Sequence, residues 1–202
     1  MTVETSGVLT AKGAARREAI LRAAEALILD EGYAAFSARG VAARAGIALS
    51  NVQYYFPVPT GMIAGLLRGY VDIYASAAIG TFKRSKGAPE ERLAQTLRSL
   101  FAENGVSKKC AQFMAEVAGL GARDASVRAA LEEYYAAYLV AARALIAELH
   151  PELNAKQISH RAPQLVALLE GAFLVSGPMP GPERQAFEPR QLASAIMRLL
   201  RD

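Results

Sequence analysis

Between Leu49 and Tyr55 the chain sets Ser50, Asn51, Gln53, Tyr54 and Tyr55 around a single apolar residue, Val52. These side chains form hydrogen bonds and carry no negative charge. Amides such as Asn51 and Gln53 can bond an adenine edge in bidentate fashion, and Ser and Tyr hydroxyls suit phosphate oxygens. The surroundings suit a polyanion. Residues 32–71 contain neither Asp nor Glu, where the chain's average acid content would place about four. Arg39, Arg44 and Arg68 therefore have no counter-charge nearby in sequence, although the overall charge of +4 is too small to argue from. The competing reading is an ordinary short helix with a solvated polar face.

Other chemistry is sparse. His150 and His160 stand apart without Cys partners, so a metal site is not expected. Gly119-Leu120-Gly121 has no preceding strand and is not a phosphate loop. The single cysteine, Cys110, excludes an intrachain disulfide and suits a reducing compartment; as a lone thiol it reads either as a sensor or as a small buried hydrophobe. No nucleophile–base–acid set and no cofactor fingerprint is present, so neither an enzyme nor a cofactor is expected. The N-terminus lacks a secretory pattern. The most apolar run, Leu165 to Val175, is interrupted by Glu170 and is short of a bilayer span. A soluble cytoplasmic protein without a membrane partner is expected.

The elements that must hold these residues are all helical, because apolar residues recur at helical spacing and no segment alternates like a strand. A first helix is predicted over 12–30, with Ile20, Ala24, Leu27 and Ile28 on one face and Gly32 beyond its end. Ser37 is placed to cap a short helix from Ala38 that Gly46 closes. A second short helix runs from Leu49 to Tyr55. Pro57 and Pro59 stop it and pre-set a long fourth helix that loses its pattern near 83–86. Further helices are predicted at 89–104, 107–121, 124–149, 155–176 and 189–201, with Pro163 starting or kinking one of them and a Gly/Pro-rich loop at 177–188. The expected class is all-α with about nine helices. Residues 1–11 form a tail, 12–58 a three-helix domain, and 59–202 a larger helical domain.

Two short helices joined by Ala45-Gly46-Ile47-Ala48 are helix-turn-helix grammar, since the glycine can take the left-handed conformation that a sharp angle needs. The pattern resembles the N-terminal domain of the tetracycline-repressor (TetR) family of bacterial regulators. The resemblance is carried by Ile20-Leu21-Arg22-Ala23-Ala24, Glu31-Gly32-Tyr33, Ser37, Val41-Ala42-Ala43-Arg44-Ala45-Gly46-Ile47, Val52-Gln53-Tyr54-Tyr55-Phe56 and Met62-Ile63. It covers about residues 12–70 at motif level, and the rest only in the number, length and order of helices. The resemblance implies Ser37 and Tyr55 as phosphate-positioning groups. It implies Arg39, Leu49, Ser50, Asn51, Gln53 and Tyr54 as facing base edges or sugars, with Arg44 and Lys12 as looser backbone contacts. Ala48 departs from the family's usual capping serine. Val58-Pro59-Thr60 departs from its Ser-Lys-Glu-like start of the fourth helix, and Pro59 cannot supply that lysine's phosphate contact.

In such a family the C-terminal helices hold a small-molecule effector and the last two pair with a second subunit. Tyr70, Tyr74, Phe101, Phe113, Met114, Tyr134 and Tyr138 are the candidate pocket residues, which implies an apolar or aromatic effector. Leu165, Leu169, Phe173, Leu192, Ile196 and Leu199 form two apolar faces that could meet a partner helix pair or complete the protomer core. The expected function is a sequence-specific regulator of transcription, a homodimer that binds a double-stranded, pseudo-palindromic operator and is released by its effector. A ligand-responsive activator is the alternative, as is a helical architectural protein that binds DNA without sequence preference.

Overall fold

The computed structural model describes residues 10–101 and 106–201. Among them are nine α-helices: α1 (Ala11–Glu31), α2 (Ala38–Ala45), α3 (Leu49–Tyr55), α4 (Thr60–Arg84), α5 (Pro89–Leu100), α6 (Val106–Gly121), α7 (Ala125–Leu149), α8 (Ala155–Ser176) and α9 (Pro189–Arg201). The order is the expected one. The predicted loop at 177–188 contains one 3-10 turn, Glu183–Phe187, and α5 ends at Leu100, with 102–104 of the predicted helix outside the described residues. The same holds for most of the predicted N-terminal tail, of which 10–11 are described.

The chain divides into two compact units after Leu66, inside α4, rather than after Val58 as the turn residues suggested. The reason is packing. Met62, Ile63 and Leu66 on the first turns of α4 are buried and belong with the first unit. Proline placement marks where a helix starts, not which core its first turns join.

In the first unit, local chemistry fixes each short element. The Thr10 hydroxyl accepts from the Gly13 N–H at 3.2 Å and the Ser37 hydroxyl from the Gly40 N–H at 3.0 Å, so both α1 and α2 are capped by a side chain. Gly46 ends α2 in the left-handed region, at φ +64°, where a residue with a Cβ is strained. Ile20, Ala24, Leu27 and Ile28 of α1 bury the face the periodicity marked, together with Val41, Ala42, Val52 and Phe56. α4 comes so close to α1 that a Cβ on Gly65 would lie 3.0 Å from a Leu21 methyl. That glycine serves close packing.

In the second unit, α5 packs most extensively on α9, and α7 on α8. Phe82, Leu93, Leu97, Ile146, Leu165, Leu169, Leu192 and Ile196 lie in one core. Arg92 fastens the end of α4 to α5: its guanidinium lies 4.0 Å from the centre of the Phe82 ring and donates to the Phe82 carbonyl at 3.1 Å. Pro163 lies inside α8 on its exposed side. α4 has the length and apolarity of a membrane-crossing helix, yet Met62, Ile63, Leu66, Leu67, Tyr70 and Phe82 are buried within the protein.

Two expectations need correction. Leu165, Leu169, Leu192 and Ile196 are not presented to a partner; they are buried inside the protomer, because α5 and α7 already cover those faces of α9 and α8. Phe173 and Leu199 are only half-buried. Periodicity locates an apolar face but does not say what covers it. Nor is Arg44 without counter-charge. Its guanidinium pairs with Asp30 and with Glu31, the latter at 3.0 Å, because the end of α2 returns to the end of α1. Arg68 also faces a carboxylate, Glu133, at 4.0 Å.

Candidate functional site

α3 is held by one buried residue. Val52 is fully enclosed, while Ser50, Asn51, Gln53 and Tyr54 are exposed and Leu49 and Tyr55 are half-buried. A seven-residue helix could not persist alone. It is kept by Val52, by the Gly46 turn and by the Phe56 N–H donating to the Val52 carbonyl at 2.8 Å. Phe56 itself is buried under the Arg17 guanidinium, 5.0 Å from the ring centre. Ala48 offers no side-chain cap, and the Asn51 N–H donates to the Ala48 carbonyl at 3.0 Å instead.

The exposed surface of α3 is what its residue types led one to expect: amides and hydroxyls, with Tyr54 77% exposed and edge-on to Tyr55 at 5.0 Å. Ser37 and Arg39, at the start of α2, are also exposed. An aromatic so open to water gains little for the fold through burial, the main source of its free energy. Tyr54 is therefore available to an external surface.

The second unit contains a cavity of about 260 Å³. Tyr70, Tyr74, Met114, Tyr134 and Tyr138 line it, five of the seven residues anticipated. The other two are corrected. Phe113 is fully buried, its ring 5.3 Å from that of Tyr70, and Phe101 stacks on Phe173 at 4.1 Å; both stand behind lining rings rather than on the wall. Phe173, expected at a subunit interface, lines the cavity instead, as do Leu165, Leu169 and Ile196.

Glu170 on α8 was not anticipated as a cavity residue. Its signal was present in the sequence, as the one acid that breaks the apolar run from Leu165 to Val175. The Tyr134 hydroxyl donates to Glu170 Oε1 at 3.0 Å. Burial pushes the Glu170 carboxyl above the ordinary carboxylate range, and the Tyr134 hydrogen bond opposes part of that rise. Burial, and then the nearby Glu170 charge, also raise the phenols of Tyr134, Tyr135 and Tyr138. Each ring thus presents a neutral hydroxyl at any physiological pH. The wall is apolar and aromatic with a few polar groups, the composition of small-molecule sites.

Neither histidine joins these sites. His150 Nδ1 lies 2.7 Å from Glu152 at the end of α7, and His160 is exposed on α8. Cys110 lines the cavity and is half-buried.

Comparison with known proteins decides what these two units are. Residues 20–58 match the model of bacterial regulatory proteins of the tetR family, and residues 89–201, more than half of the chain, match the C-terminal domain of BetI-type transcriptional repressors. The chain belongs to the TetR family. It is a DNA-binding regulator of transcription and not an enzyme. Solved structures agree on the fold of this TetR-family chain. A transcriptional regulator from Pseudomonas aeruginosa PAO1 is 18% identical with a TM-score of 0.74, covering 93% of this chain and 89% of its own. A regulator from Saccharomonospora viridis in complex with choline is 15% identical with a TM-score of 0.66, over 93% and 96% of the two chains. The multidrug-binding protein EbrR complexed with ethidium is 21% identical with a TM-score of 0.65, over 91% and 98%. Among curated protein sequences, none matches the chain.

Proposed function

We propose that this TetR-family regulator is a homodimeric repressor that binds a pseudo-palindromic operator and is released by a small organic molecule. The observation that carries the reading is the division of labour along α4. The helix lends Met62 and Ile63 to the core beside the recognition motif, and Tyr70, Val71, Tyr74, Ala75 and Ala78 to the cavity wall. One helix thus contributes residues to both units. A ligand that favours one arrangement of α4 changes the spacing of two recognition helices. Because major-groove spacing is fixed at roughly 34–36 Å per turn, a small change costs affinity. A coupling of about 1–3 kcal/mol alters operator affinity roughly 5- to 150-fold.

In this reading Asn51, Gln53 and Tyr54 read base edges, with Leu49 against a thymine methyl or a sugar. Arg39 and Ser50 face base edges or sugars beside them, Ser37 and Tyr55 position the phosphates, and the protein works in the cytoplasm. The choline and ethidium complexes of structural relatives support a cavity that accepts small organic molecules. The proposed partner-facing surface is the exposed part of α8 at Gln164 and Ala167, with Gln191, Ala195 and Arg198 of α9. These residues are open or half-open in the protomer. Small residues there let two helices approach closely.

Thermal-shift screening of small organic molecules, followed by operator titration with and without each stabilising compound, tests the coupling. A compound shown to occupy the cavity that left operator affinity unchanged would refute release while leaving DNA binding intact.

A further inference from the structure

We propose that the effector is an organic cation of single charge with an apolar body, an amine or quaternary ammonium, whose positive centre is held by the Glu170 carboxylate. This rests on the reading of the cavity as the effector site and names the chemistry it selects. Among the described residues that line the cavity, Glu170 is the only carboxylate, and no Lys, Arg or His joins it on the wall. Among the described residues of the wall, the charge of an ionised Glu170 therefore meets no opposite charge. A half-buried carboxylate with no opposite charge beside it is costly, and the position offers an easy alternative: Leu168, Leu169, Ala172 and Phe173 flank it in α8, and a side chain of their kind would have closed the wall with apolar packing. An acid at such a place is an unmet demand for positive charge, which a ligand can meet.

The rings match that demand. Tyr70, Tyr74, Tyr134, Tyr138 and Phe173 all line the same cavity. Tyr74 stands edge-on to Phe173 at 5.9 Å and Tyr134 edge-on to Tyr138 at 5.9 Å, so the walls are built of rings at steep angles to one another. Ring faces attract a cation through their quadrupole, most strongly when the cation is stripped of water. The Tyr134 hydroxyl donates to Glu170 Oε1 and holds the carboxylate against α7. A carboxylate accepts from several donors at once, so this bond fixes the group and leaves it able to accept an ammonium N–H or to face a quaternary centre. The single acid sets the charge of the ligand at one. A cavity of about 260 Å³ lined by apolar residues sets an apolar body behind it.

An anionic ligand would meet Glu170 as a like charge. A neutral ligand would be indifferent to ionisation of the acid, or would favour its protonated form. Other titratable groups of the wall are Tyr134, Tyr135 and Tyr138 on α7, which face Glu170, and Tyr74 on α4 and Cys110 on α6, which line the same cavity. Phenols and thiols stay uncharged from pH 4 to 7, as is ordinary for them. Over that interval the acid alone changes the charge of the wall.

The test uses one apolar body with three heads, 4-phenylbutylamine, 4-phenylbutanol and 4-phenylbutyrate, titrated calorimetrically into the full-length protein at pH 7. The amine should bind about tenfold or more tighter than the alcohol, the increment of one charge-assisted hydrogen bond in a dry site. The butyrate should bind most weakly. Glu170→Gln should erase the advantage of the amine and leave the alcohol within about twofold. Should that variant not fold, the unmodified protein answers through pH. Binding of 4-phenylbutyltrimethylammonium, whose charge does not titrate, should weaken on acidification by up to tenfold per pH unit as Glu170 takes up its proton, while the alcohol should not follow. If the alcohol or the butyrate bound as tightly as the amine, or if Glu170→Gln left the ranking unchanged, the cation proposal would be overturned and the cavity reading kept. If none of the three bound, the cavity reading itself would fall, and the proposal with it.

Discussion

Val52 and Gln53 are neighbours on α3 with opposite tasks, and substituting each by alanine separates holding the recognition helix from reading DNA. Val52 is fully buried and Gln53 exposed. Val52→Ala removes two methyl groups from a closed site, about 1.6 kcal/mol of transfer free energy at ~0.8 kcal/mol per group, with up to ~1 kcal/mol more for the void. The predicted loss of stability is about 2–3 kcal/mol. For a chain of this length that lowers Tm by roughly 4–12 °C. Gln53→Ala touches nothing buried, so stability should stay within about 0.5 kcal/mol. Its loss appears on DNA: a bidentate amide–adenine pair is worth about 1–3 kcal/mol, or roughly 5- to 150-fold per half-site. The assay is fluorescence anisotropy on a labelled operator and its single-base variants, with thermal unfolding of both proteins alongside. Discrimination should collapse at one base position for Gln53→Ala and persist at the others. For Val52→Ala, affinity should fall at every position alike. If Gln53→Ala weakened all duplexes equally, or destabilised the protein as much as Val52→Ala, the division into anchor and reader would be wrong.

Three other perturbations test separate parts of the structure. Burial raises the Glu170 pKa above its ordinary value of 4.5, so the folded chain holds that proton more tightly than the unfolded one. The resulting stabilisation is complete below that value and is lost as pH rises through the folded pKa, so Glu170→Gln should raise the Tm of the ligand-free protein near pH 7 and lose that advantage toward pH 4, checked by melts across pH. At Gly46 a Cβ would meet nothing within 4 Å, so Gly46→Ala should cost only the left-handed backbone, about 1 kcal/mol after the gain in unfolded-chain entropy. That lowers Tm by roughly 2–4 °C, and a fall several times larger would mean that the turn carries more than its geometry. Ala167→Arg, on the exposed stripe of α8, should give a folded monomer in sedimentation at micromolar concentration. A dimer that persisted would place the interface elsewhere.

The helices and their order were legible because each is marked by local chemistry: Ser37 and Gly46 bracket α2, Pro57 follows α3, and the apolar spacing of Ile20, Ala24, Leu27 and Ile28 states which face of α1 is buried. What reached across the chain was less so. The pairing of Arg44 with Asp30 and Glu31 depends on where α2 ends in space, which spacing along the sequence does not encode. The same limit misplaced Leu165, Leu169, Leu192 and Ile196, since an apolar face looks alike whether a partner helix or the protomer's own α5 and α7 will cover it. Tyr70, Tyr74, Met114, Tyr134 and Tyr138 were found on the cavity because aromatic and thioether groups on converging helices gather there. Phe101 and Phe113 share that chemistry but lie one layer back, a difference of depth that residue type does not carry. Glu170 was visible as an interruption of an apolar run, and only the placement of α8 turns the interruption into a wall residue.

The central claim is that α3 reads a particular duplex. Selection of bound fragments from a random duplex pool, followed by titration of the selected site and a scrambled one at several salt concentrations, measures it directly. The selected site should be pseudo-palindromic and should bind about 10³-fold or more tighter than the scrambled one. Both affinities should fall with salt as phosphate counterions are released. Recovery of no consensus, with equal binding to both duplexes at every salt concentration, would contradict it.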